Sequence, residues 1–129
     1  MTKIAQGLNT AVAWTVINHD DFDPEFEALP EPVQDGLLAA ALVLQEIGPL
    51  LGRPNVDTLA GSQFPNMKEL RFDAGGGVWR VAFAFDPERN AILLVAGDKA
   101  GVAQSRFYKA LIAKADKRFA GHLWQLKGK

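Results

Sequence analysis

The sequence predicts an α+β domain, and three observations carry that prediction. A segment with strand character stands at residues 11–18. Two helical patterns follow it. Then comes a run of three strand patterns between 67 and 95, closed by one more helical pattern. Strands that run together, with helices kept apart from them, give an α+β rather than an alternating βαβ architecture. The expected sheet is small and antiparallel with a mixed edge, flanked by two N-terminal helices and one C-terminal helix.

Each element has its own justification. Residues 1–10 show no periodicity and are expected as a flexible leader, with 11–129 forming a single domain. The β-branched residues Val12, Thr15, Val16 and Ile17 mark the first strand. Asp23 followed by Pro24 reads as a cap and a first helical residue, and Pro30 and Pro32 keep that helix short. A longer helix starts near Glu31 or Pro32. Its apolar residues Val33, Leu37, Leu38, Ala41, Leu42, Leu44 and Ile47 follow the helical period, and Gly48-Pro49 stops it. Residues 50–66 read as a long connection, either functional or holding a short helical turn.

The second half changes character. Residues 67–73, 78–85 and 91–95 read as strands, with hairpin turns at 74–77 and 86–90. Ile92-Leu93-Leu94-Val95 is apolar on both faces and belongs in the middle of the sheet. A final helix is expected over about 105–126. One side of it carries Phe107, Tyr108, Leu111, Ile112, Ala115, Phe119, Leu123 and Leu126, and the other carries Arg106, Lys109, Lys114, Lys117 and Arg118.

Composition excludes several functions. The chain has 129 residues, 48% of them hydrophobic, and no cysteine, so disulfide scaffolds, thiolate metal sites and cysteine nucleophiles are out. Two histidines leave little for a zinc site, and no cofactor is expected. There is no long apolar run and no signal-peptide pattern, so a cytoplasmic protein is expected. The net charge of −1 conceals an asymmetry. Residues 1–65 hold two bases and nine acids, whereas 66–129 hold twelve bases and six acids. Either the halves intermix in space or one face is cationic and takes an anionic partner.

Strand register concentrates this charge. In residues 78–85, Trp79, Val81, Phe83 and Phe85 share one face, with Arg80, Ala82 and Ala84 on the other. Leu70 and Phe72 mark the core face of the preceding strand and put Met67, Glu69, Arg71 and Asp73 opposite. A turn at 74–77 then sets Arg71 directly across from Arg80. Like charges there destabilise a sheet by roughly 0.2–1 kcal/mol, so an anion should sit between them. That anion is either Glu69 or Asp73, or a substrate phosphate held by the two guanidinium forks. Tyr108 is either a core residue with a tethered hydroxyl or a platform for a base.

Asn66-Met67-Lys68-Glu69-Leu70-Arg71, the strand 78–86, Ile92-Leu93-Leu94-Val95 with Gly97-Asp98-Lys99, and Arg106-Phe107-Tyr108 together resemble the RelE/ParE toxin superfamily, specifically its HigB-like, phage-derived branch. Trp14, the helix 32–47 and residues 52–59 also fit, so the resemblance spans about 11–126. It implies a small sheet with helices packed on one side. It implies a toxin held silent by a cognate antitoxin of helix-turn-helix type, acting on ribosome-bound messenger RNA. The implied chemistry is in-line attack of a ribose 2′-OH on its phosphate, without a metal.

In that resemblance Arg80 clamps the phosphate, Lys99 supplies a second cation, and Tyr108 stacks on a base or assists proton transfer. Arg71 is catalytic or structural, and Glu69 is a general base or a counter-ion. Lys68, Arg106 and Lys109 are expected to contact RNA. The chain departs from the family where Met67 and Glu69 stand in place of two lysines. That departure keeps a second reading open, a non-catalytic binding module directed at gyrase or at the antitoxin alone. Neither His19 nor His122 matches a family site; His122 is expected as a packed core histidine.

Overall fold

A computed structural model describes residues 2–3 and 14–128. Of the expected leader, residues 1 and 4–10 lie outside the described residues, while Thr2–Lys3 form a short strand, β1. Residues 11–13 of the expected first strand also lie outside them, and the strand itself is β2, Thr15–Asn18. Then follow α1 (Phe22–Glu27), α2 (Glu31–Ile47), a 3-10 turn (Gly48–Leu50), β3 (Val56–Thr58), β4 (Lys68–Ala74), β5 (Gly77–Phe85), β6 (Asn90–Asp98) and α3 (Gln104–Lys127). The sheet runs β1-β2-β6-β5-β4-β3. The β2–β6 pair is parallel and every other pair is antiparallel, which makes the mixed edge.

Two features of the connection 50–66 and of α1 differ from expectation. Residues 56–58 form β3, which pairs with β4. Three residues are too few to show an alternation, and only Val56 of them is buried. Helix α1 begins two residues early: Asp21 is its N-cap and Asp23 lies inside the first turn.

The largest correction concerns the layers. Helices cover both faces of the sheet rather than one. Phe22, Leu37, Ala41 and Leu44 of α1 and α2 pack on Leu70, Val81, Phe83 and Leu93. Phe107, Leu111, Ala115 and Phe119 of α3 pack on Met67, Ala82, Ala84, Ile92 and Leu94. The cause is the double-sided apolar character of β6 together with small alanines on β5, which let α3 settle against the second face. Each large side chain buried this way contributes about 1.5–3 kcal/mol relative to exposure.

Local devices hold this arrangement. Ala74 pairs with Gly77, leaving Gly75 and Gly76 at φ 57° and 79° in a two-residue hairpin. That turn needs left-handed backbone at both positions, which glycine supplies without strain. A register shift between Ala82–Val95 and Phe83–Leu93 leaves Leu94 as the extra residue of a bulge. Leu94 and Val95 both join the α3-side core. Gly97 lets α3 approach closely, since a Cβ there would lie 2.8 Å from the Phe107 ring.

Candidate functional site

An open cleft of about 650 Å³ lies on the α3 side of the sheet, between the β3–β4 edge and the start of α3. Alternation along β4 sends Glu69 and Arg71 into it, Lys99 enters from the end of β6, and Ser105 and Tyr108 enter from the first turns of α3. The register is the expected one: Arg71 is the cross-strand partner of Arg80, and Arg80 in turn is opposite Gly97. The second core of the preceding paragraphs buries the inner part of this row. Arg80 is 6% exposed and Glu69 6%.

Glu69 is the anion at the centre. Its Oε1 accepts a 2.7 Å hydrogen bond from the Tyr108 hydroxyl and lies 3.4 Å from Arg80 Nε. Arg80 Nη1 donates to the Trp79 carbonyl at 2.9 Å. The Arg80 Nε contact with Glu69 is an ion pair without hydrogen-bond alignment. Among the described residues Nε is one of two buried side-chain polar atoms lacking a hydrogen-bond partner, the other being Asn18 Oδ1. Arg80 Nε is thus a buried donor whose hydrogen-bonding capacity is unused. Arg80 is reached through a smaller depression of about 310 Å³ shared with Arg71, Asp73 and Asn55.

Tyr108 is half-buried with its hydroxyl tethered to Glu69. Its ring meets Phe107 edge-on at 5.1 Å, and Lys99 Nζ lies 5.7 Å from the ring centroid. Burial pushes the Tyr108 hydroxyl above its ordinary pKa, the hydrogen bond and negative charge of Glu69 push the same way, and Arg80 opposes them. At neutral pH the phenol is therefore a proton donor. Lys99 is fixed by its backbone, whose N–H donates to the Val78 carbonyl at 2.8 Å. The preceding Asp98 accepts from the Val78 and Ala100 amides and shapes the exit from β6.

The structure brings together Glu69, Arg71, Arg80, Lys99 and Tyr108. It separates the three residues expected to contact RNA. Lys109 lines an adjoining groove that shares Ser105 and Tyr108 with the cleft. Arg106 is exposed on the same first turn of α3 but is not part of the cleft wall. Lys68 alternates with Glu69 on β4 and so lies on the α2 face, away from the cleft. Arg118, from the basic side of α3, is tied to Glu25 at 2.6 Å and to the Leu94 carbonyl at 2.7 Å. It thereby satisfies the bulge carbonyl and joins α1 to α3.

Two further charged residues line the cleft that were not among the expected site residues. Arg53 and Asp57 stand at the rim of the cleft, joined by hydrogen bonds of 2.8 and 3.0 Å. The Arg53 hydrogen bond, with one from the Thr58 amide, holds the Asp57 carboxyl below its ordinary pKa. The available signal was that Arg53 is the sole base between Lys3 and Lys68. His122 is buried as expected, with Nε2 2.8 Å from Asp86 Oδ2 and the ring stacked on Phe119. Among the described residues no group of three or more histidine or acidic side chains gathers to hold a metal.

A two-sided α/β/α sandwich with a cationic cleft built around a buried Glu–Tyr–Arg cluster defines the class. The chain belongs to the family described as Phage derived protein Gp49-like, whose profile matches residues 24–120. It is 42% identical over 118 residues to a Mycobacterium tuberculosis protein named "Putative toxin HigB2", covering 91% of this chain and 58% of that protein. It is 48% identical over 93 residues to a second protein of that organism, "Putative toxin HigB3", covering 72% of this chain and 79% of that one. The chain thus spans a little over half the length of the first of these relatives. No solved structure matches it at a significant level. No helix among the described residues is long and apolar enough to cross a membrane.

Proposed function

We propose that this chain is the toxin of a two-protein toxin–antitoxin pair and that it cleaves messenger RNA in the cytoplasm, on the ribosome. The names of its relatives support the toxin role and with it a cognate antitoxin as partner; that this antitoxin is of helix-turn-helix type belongs to the proposal. One observation carries the chemistry: a buried carboxylate, a protonated phenol and a buried guanidinium meet where Arg71 and Lys99 face the same cleft.

In this reading Arg71 and Lys99 hold the scissile phosphate, and the half-paired Arg80 takes up charge as the phosphorane forms. Glu69 accepts the proton of the ribose 2′-OH while that oxygen attacks phosphorus. The bond to the 5′-oxygen breaks, leaving a 2′,3′-cyclic phosphate, and Lys99 protonates the departing oxygen. Tyr108 offers its ring to a neighbouring base and its hydroxyl to Glu69. No step requires a cofactor. Primer extension after induction tests the proposal. Discrete message ends that disappear in Arg80→Ala are expected, whereas intact messages with normal polysomes overturn it.

The 3.4 Å approach of Glu69 to Arg80 favours a second reading, since a carboxylate already neutralises the clamp. The chain would then act by binding alone, on gyrase or on the antitoxin. Growth arrest with intact messages and DNA-damage signalling selects the gyrase form of that reading.

A further inference from the structure

The outer face of α2 is apolar where a solvent-facing helix should be polar. Of the six large hydrophobic residues exposed among the described residues, four lie between positions 42 and 50: Leu42 at 39%, Val43 at 37%, Ile47 at 47% and Leu50 at 90%. They follow a helical spacing of i, i+1, i+5 and i+8 and continue into the 3-10 turn. The inner face of the same helix is already filled by Val33, Leu37, Ala41 and Leu44. The C-terminal half of α2 is therefore apolar around most of its circumference. That pattern belongs to a helix covered on both sides.

Charge identifies what covers it. No lysine or arginine occurs between Lys3 and Arg53, while residues 20–46 hold eight acids. Asp35 and Glu46 are exposed on the outward side, in line with the apolar residues. The acids around α1 meet the bases of α3, with Glu25 paired to Arg118 and Asp20 and Asp21 sharing a groove with Lys114 and Lys117, so the acids beside the apolar residues of α2 are Asp35 and Glu46. Two copies packed α2 against α2 would set acid against acid. RNA would be repelled from this face. A helix whose apolar stripe is rimmed by lysine or arginine matches both the shape and the sign.

We infer that the α2 face, centred on Leu42, Val43, Ile47 and Leu50, is a docking surface for a basic amphipathic helix of a protein partner. The inference does not depend on the nucleolytic reading, because this face and the cleft lie on opposite sides of the sheet. Both can be occupied at once.

The test uses the full chain and two synthetic 18-residue amphipathic helices with one leucine pattern, one carrying lysine on its polar face and one glutamate. Calorimetry measures affinity, and amide chemical shifts locate the site. The lysine helix is expected to bind more tightly than the glutamate helix and to move resonances of residues 35–50. Ile47→Asp and Leu50→Asp should each weaken it at least about tenfold. Leu50 is so exposed that its variant leaves the fold intact, which its melting temperature verifies. No binding overturns the inference, as do shifts centred on the cleft or equal affinity in both variants. Concentration-dependent dimerisation of the wild type that Leu50→Asp abolishes also overturns it, because the occupant is then a second copy of the chain.

Discussion

The Tyr108 hydroxyl donates to Glu69 Oε1 at 2.7 Å across 39 positions of sequence, and Arg80 completes the cluster from the next strand. Both charged side chains are more than nine-tenths buried. Removing one partner strands the other. Glu69→Ala should therefore destabilise the protein by about 3–5 kcal/mol, the usual penalty for a buried charge left alone. Adding Arg80→Met to that variant should restore part of the loss, because no unpaired charge remains. Urea unfolding of the two single variants and the double one checks this. Additive losses would show that the pair is not coupled.

Tyr108 is the chain's single tyrosine, so its ionisation can be read directly by ultraviolet absorbance. Burial and Glu69 raise its folded pKa above the ordinary value of 10.0. A raised pKa means that the folded state favours the protonated phenol. The associated stability is fully present below about pH 10 and is lost as pH rises through the folded pKa. The expected titration midpoint lies above 10 in the wild type. In Glu69→Gln it should fall, because the carboxylate's charge is gone while Arg80 still favours the phenolate. A midpoint unchanged by that substitution would remove Glu69 as a cause.

The Asp86–His122 contact ties the β5–β6 turn to the last third of α3. Asp86 also accepts from the Glu88 and Asn90 amides. Burial alone would raise its pKa, but the hydrogen bonds from His122, Asn90 and Glu88 outweigh it and hold the carboxyl below 3.8. Stability from this group is present above the unfolded carboxylate pKa of about 3.9 and is lost as pH falls through the folded value. His122→Ala removes one of those hydrogen bonds and leaves a cavity beside Phe119. It should cost about 2–4 kcal/mol and move the acid-unfolding midpoint to higher pH. Circular dichroism across pH 2–6 measures both effects.

Element order, the 74–77 hairpin and the Arg71–Arg80 pairing were legible because each rests on local chemistry: proline and glycine punctuation, a period of two, and a turn that fixes register. The second helical layer was half legible. The double-sided apolar run of β6 pointed to a central strand, yet the sequence reading kept all helices on one side. β3 was not legible, since its three residues carry no period. The site followed the same division. Arg71 and Arg80 could be paired from strand phase, whereas Lys99 joined them only through the family resemblance and helix phase put Tyr108 no further than the apolar side of α3. Arg53 could not be placed, because its position depends on how residues 51–59 fold back on β4, and helix phase alone does not reveal the tie of Arg118 to Glu25.

Lys68 and Arg71 are three residues apart on β4 but point to opposite faces of the sheet, and this separation distinguishes the cleft from mere basicity. If the cleft takes a phosphate backbone, Arg71→Ala removes one contact at the site. The slope of log affinity against log salt for a short single-stranded RNA should then flatten by about 0.7, the value for one phosphate on a single strand. Lys99→Ala should behave alike. Lys68→Ala, with the same loss of one positive charge, should leave slope and affinity nearly unchanged, because its side chain faces α2. Fluorescence anisotropy from 50 to 200 mM salt measures all three. Equal effects of Lys68→Ala and Arg71→Ala would mean that RNA senses only total charge and that the cleft is not where it binds.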